Sequence, residues 1–213
     1  MKNIKLPILI IICVLTWIAL VTQLYLNIQI NKMGGKVSLT ETLIRFFSYF
    51  TILSNFLVAL ATSFNLKDRS DNRASFFRKP QTLTAINLYI LIVGLVYNII
   101  LRYTWNPQGI QKLVDEALHT LIPILFLIYW WIFVPKSNLK FRNILNWMIF
   151  PTLYLAFVLL RGSFSNFYPY PFIDVTALGY PVVFRNAGFL VMVFFFMALT
   201  LVYVPKGIDK VKK

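Results

Sequence analysis

Apolar residues come along this chain in long runs parted by short polar stretches. Six of the runs reach the roughly 20 residues that a helix needs to cross about 30 Å of hydrocarbon. They fall at about 6–30, 42–66, 82–104, 113–134, 143–162 and 182–204. Main-chain groups in lipid must be paired within their own segment, so each run is predicted to be a helix. The expected architecture is all-α: a polytopic membrane protein with six transmembrane helices in one bundle, a single domain over residues 1–213. The first run follows Lys2 and Lys5 as a signal peptide would, but it is too long and lacks a small-residue cleavage site, so it is expected to stay as the first helix. No internal repeat or low-complexity tract interrupts the pattern.

Composition agrees, with 59% hydrophobic and 13% charged residues. The net charge of +14 does not point to nucleic acid as a partner, because the basic residues cluster in short loops between the apolar runs. They read as a topology signal instead. Lys2 and Lys5, then Lys67, Arg69, Arg73, Arg78 and Lys79, then Lys136, Lys140 and Arg142, and finally Lys206, Lys210, Lys212 and Lys213 share one side. The other side has only Lys32, Lys36, Arg45, Arg102, Lys112, Arg161 and Arg185. The positive-inside rule then puts both termini in the cytoplasm, with the cell membrane as the expected location. Cys13 is the sole cysteine, which excludes an intrachain disulfide and a cysteine-based metal site. No metal or other cofactor is expected.

That orientation exposes an asymmetry. Gln23, Asn27, Arg45, Ser48, Thr51, Asn98, Arg102, Asp115, Glu116, His119, Thr120, Arg161, Arg185 and Asn186 all fall in the outer half, whereas the inner halves are mostly Leu, Ile, Val and Phe. Ionisable groups at membrane depth are costly and persist where they face a protein interior or a cavity. A polar cavity toward the outer side is therefore expected, although polar helix ends and snorkelling arginines account for part of the pattern. The fifth loop, GSFSNFYPYPFIDVTALGYP, is aromatic and carries no Lys or Arg; it is expected to lie at the membrane surface, with Tyr170 over the cavity or within an aromatic belt.

His119 is the only histidine. Arg45, Ser48, Thr51 and Asn55 line one face of the second run, and Thr51 and His119 fall roughly 15 Å and 10 Å inside the outer surface at the helical rise. A hydroxyl and an imidazole at a shared depth are candidates for nucleophile and general base. Asp115 lies four residues before His119 on the same helix face and can hold the ring; Glu116, three before, competes for that role. Asn55, Asn98 or an arginine are candidate donors to a developing oxyanion, and Arg102, Arg161 or Arg185 are candidates to hold a substrate carboxylate. Taken singly, polar residues on transmembrane helices more often join helices than react.

Three blocks, RFFSYFTILSN around Thr51, DEALHTLIP around His119 and YPYPFIDV around Tyr170, carry a resemblance. Here the chain resembles the androgen-induced integral membrane protein family and its bacterial multi-pass relatives, the likeness to the latter extending through LRYTWNPQG and LRGSFSNFYPYPF. The resemblance implies six helices with both termini cytoplasmic and a threonine hydrolase acting within the membrane, whose eukaryotic members cleave fatty acid esters of hydroxy fatty acids. The family's threonine falls on Thr51 and its histidine on His119. The leading expectation is a hydrolase of lipid esters, its partner a membrane lipid or lipid-ester substrate. The alternatives are a proton-coupled transporter using Asp115, Glu116 and His119, and a lipid-binding membrane protein without chemistry.

Overall fold

The computed structural model describes residues 2–34, 37–67 and 75–211, without the side chains of 2, 3, 31–34 and 206–211. Of the basic residues counted above, Lys2, Lys32, Lys36, Arg69, Arg73, Lys206, Lys210, Lys212 and Lys213 have side chains outside the described residues. Among the described residues the regular structure is entirely helical. In order the elements are α1 (Lys2–Gly34), α2 (Leu39–Phe47), α3 (Phe50–Leu66), the short α4 (Ser75–Arg78), α5 (Pro80–Val96), α6 (Gly109–Glu116), α7 (Ile122–Phe133), α8 (Phe141–Ser165) and α9 (Val175–Val211). A π-turn, Tyr97–Leu101, extends α5, and another, Ala117–Leu121, joins α6 to α7.

Five helical stretches are long and apolar enough to cross a membrane: Ile4–Ile30, Pro80–Leu101, Gly109–Phe133, Phe141–Ser165 and Val175–Pro205. The pair α2 and α3 makes a sixth if taken as one span. The chain therefore has the architecture of a multi-pass membrane protein. That pair departs from the straight helix expected over 42–66, because α2 and α3 are bent by 76°. Ser38 caps α2 by accepting from the Glu41 N–H, Glu41 pairs with Arg45 one turn on, and Tyr49 adopts extended backbone before α3 begins. Thr42 and Phe46 are buried while Leu39, Ile44 and Phe47 are exposed, so α2 presents an apolar surface on its outer side as well. The break puts Thr51 in the first turn of α3.

The chain forms two compact units, Met1–Pro135 and Lys136–Lys213. In the first, α1 packs on α3, and the Trp17 indole N–H donates to Ser63 Oγ at 3.0 Å. The α5 and α7 helices pack together, with Trp130 fully buried and its Nε1 donating to Thr84 Oγ1 at 2.9 Å. A buried indole needs such an acceptor.

In the second unit the expected long loop is short. Helix α8 continues through Ser165, a 3₁₀ turn covers Pro171–Ile173, and Asp174 caps α9 by accepting from the N–H groups of Thr176 and Ala177. Gly179, at φ 74°, interrupts α9 just before Pro181. Val158, Ile173 and Val183 form a small buried core with Tyr170 and Phe172 packed against it. These aromatics thus pack on their own unit.

Candidate functional site

His119 lies in the π-turn between α6 and α7, and Tyr97 opens the π-turn that ends α5. Such wide turns shift the register of a helix and recur at functional sites. The two turns face one another: the Tyr97 and His119 rings stack with centroids 4.1 Å apart and planes 16° apart. The Tyr97 hydroxyl donates to Asp115 Oδ2. His119 Nδ1 lies 2.9 Å from the Asp115 carbonyl oxygen and 3.3 Å from Asp115 Oδ1. Both neighbours are acceptors, so this network assigns the proton of the neutral ring to Nδ1 and leaves the lone pair on Nε2.

Asp115 and Glu116 take different partners. Glu116 receives a two-pronged bond from Arg102, at 2.6 and 2.7 Å, and Arg102 also donates to Asn98 Oδ1 at 3.0 Å and Thr120 Oγ1 at 3.2 Å. This pair is half-exposed, whereas Asp115 is buried. Asp115 is thus the carboxylate that meets the imidazole. Arg102 is engaged by Glu116, which a substrate carboxylate would have to displace.

Two side-chain amides hold the main chain of the histidine's turn. Asn55 Nδ2 donates to the Thr51 carbonyl at 2.9 Å and to the Leu118 carbonyl at 3.2 Å, which sets the first turn of α3 against the turn carrying His119. Thr51 itself is buried, at 6% exposure. Asn98 Nδ2 donates to the Gly94 carbonyl at 2.8 Å and also reaches the His119 carbonyl at 3.3 Å. Gly94 makes room for that approach, since a Cβ there would come within 3.1 Å of the His119 oxygen. Both amides offer their N–H groups to main-chain carbonyls, so as observed they brace helices.

The family models, the curated proteins and the solved structures compared with this chain include no match to it.

Of the sequence-predicted residues, Thr51, Asn55, Asn98, Arg102, Asp115 and His119 lie in the first unit. Arg161, Tyr170 and Arg185 lie in the second. There Tyr170 stacks on Phe172 at 5.2 Å, and Asn186 Nδ2 donates to the Phe172 carbonyl at 3.0 Å. The Arg161 guanidinium sits 5.1 Å from the centre of the Phe167 ring, and Arg185 is exposed. Burial first, then Tyr180 and Asp174, push the Tyr168 hydroxyl above its ordinary pKa. Tyr97 escaped the sequence reading. It sits next to Asn98 in an apolar run, and both of these consecutive residues reach His119.

Proposed function

We propose that this protein is a membrane-embedded hydrolase of lipid esters, with Thr51 as nucleophile and His119 as general base. The observation that carries the reading is the setting of the imidazole: Nδ1 lies against the Asp115 carbonyl and carboxylate, which leaves Nε2 as the nitrogen to act as base. In the proposed reaction Nε2 takes the Thr51 hydroxyl proton as Oγ1 attacks the ester carbonyl. The new oxyanion forms beside the first turn of α3, whose dipole favours negative charge. Collapse breaks the ester C–O bond, the alcohol leaves with the proton from Nε2, and the acyl group stays on Thr51. Water then attacks with the same nitrogen as base, releasing the acid and restoring the hydroxyl. Asp115 stabilises the imidazolium formed in each half-reaction.

The resemblance around Thr51 and His119 supports the same residues and suggests esters of long-chain acids as substrates. Both termini are proposed to lie on the cytoplasmic side of the cell membrane, on the distribution of Lys and Arg. A reactive phosphonate ester offered to the purified protein tests the chemistry: labelling is expected in the parent and lost in Thr51→Ala and His119→Ala. Labelling that persists in both eliminates the mechanism.

A second reading has one observation in its favour. Tyr97 donates to the Asp115 carboxylate, whose other oxygen lies 3.3 Å from His119 Nδ1, so three titratable groups adjoin within the spans, as in proton carriers. Proteoliposome flux that requires His119 and not Thr51 would select it over the hydrolase.

A further inference from the structure

Three independent contacts on His119 and its partner come from two successive residues of another helix. The Tyr97 ring lies on the imidazole face, the Tyr97 hydroxyl holds Asp115 Oδ2, and the Asn98 amide reaches the His119 carbonyl. Consecutive residues of an ordinary helix point about 100° apart and seldom serve one partner. Here the Arg102 N–H bonds to the Tyr97 carbonyl five residues back, at 2.8 Å, which widens the turn.

We propose that Tyr97 and Asn98 are positioning residues that aim His119 Nε2, the α5 π-turn existing to present them together. The inference rests on the hydrolase reading for its chemical purpose, though its geometry does not. To swing about its second side-chain torsion, the imidazole must leave Asp115 and unstack from Tyr97. To move bodily, its turn must pull away from Asn98. Neither residue reaches the reacting atoms; both act through the base.

The single histidine makes the test selective, because ¹⁵N-histidine labelling of the full chain in detergent reports one imidazole. Tyr97→Phe keeps the ring and removes the donor to Asp115, so the Nδ1 resonance is expected to move while Nε2 stays. Tyr97→Leu removes the stack, and Asn98→Leu frees the main chain; both are expected to broaden or split the two resonances. Phosphonate labelling of Tyr97→Phe is expected to slow roughly three- to tenfold at saturating reagent, the worth of one lost hydrogen bond, with the reagent's half-saturating concentration unchanged. Merely loosened packing would lower thermal stability and leave the single-tautomer spectrum intact. Imidazole spectra identical to the parent in all three variants overturn the proposal, as does an unchanged labelling rate in a variant whose spectrum has moved. If the parent itself is not labelled while the spectra change as stated, the hydrolase reading fails and the positioning of the imidazole stands.

Discussion

The two units hold their irregular segments in different ways. Around the paired π-turns of the first, polar side chains supply what regular helix geometry withholds: Asn55 and Asn98 meet carbonyls, Arg102 grips Glu116, and Tyr97 holds Asp115. In the second, the turn between α8 and α9 is held mostly by shape. Tyr168 lies against Gly162, Tyr170 stacks on Phe172, and the segment closes over Val158, Ile173 and Val183, with Asn186 and Asp174 as its main polar ties. A network of hydrogen bonds defines directions, which a reactive centre needs. A packed aromatic turn defines only position, and it tolerates no added volume.

Changes to each region should separate these two modes. The largest effect is expected from Gly162→Ala, whose new Cβ would overlap the Tyr168 ring. Overpacking of this kind costs about 1–3 kcal/mol, read as a lower unfolding temperature in detergent, and adding Tyr168→Ala should remove the clash. A parent-like midpoint for Gly162→Ala would show that the turn is not held by shape. Asn55→Leu comes next, since both carbonyls it serves lose a donor; the bond to Leu118 joins two membrane helices, for which such bonds average about 0.6 and reach about 1.7 kcal/mol. Its phosphonate labelling should fall along with stability, unlike that of Gly162→Ala. Thr84→Val removes the acceptor of the Trp130 indole and is expected to cost about as much as one such bond, without slowing labelling. A labelling defect there would mean that the α5–α7 contact as a whole, rather than the π-turns, sets the imidazole.

Smaller effects should come from groups that water reaches. Arg102→Gln breaks a pair whose side chains are each 37% exposed, so solvent screening keeps the loss of stability small and added salt shrinks it further. In the second unit, folding favours the protonated Tyr168 hydroxyl because its pKa is raised. That contribution is complete below the ordinary tyrosine value of about 10 and is lost as pH rises above it. Unfolding midpoints should therefore decline less at alkaline pH in Tyr168→Phe than in the parent.

Much of the helical layout was legible beforehand. The run at 82–104 appears as Pro80–Leu101 and that at 143–162 as Phe141–Ser165, because an apolar stretch of sufficient length carries its own boundary signals. The Asp174 cap was also written in the chain, as an acidic residue ahead of Val-Thr-Ala, although the prolines and aromatics around it suggested a loop through Pro181. The bend between Phe47 and Phe50 was not legible. RFFSYFT has neither glycine nor proline, and the bend leaves Phe46 buried while Phe47 faces outward. Nor was the choice between Asp115 and Glu116, which spacing of four or three residues leaves open on one helix face. Arg102, from a different helix, takes Glu116, and Tyr97 holds Asp115.

By itself, then, the order of residues determined that this protein is a set of apolar helices and which polar residues interrupt them, because length and hydropathy act locally along a chain. Only the tertiary structure decided the partner of each polar group, the two π-turns among them. Those outcomes depend on what a neighbouring helix presents across a few ångströms, where a carbonyl displaced from its own ladder is met by an amide more than twenty residues away.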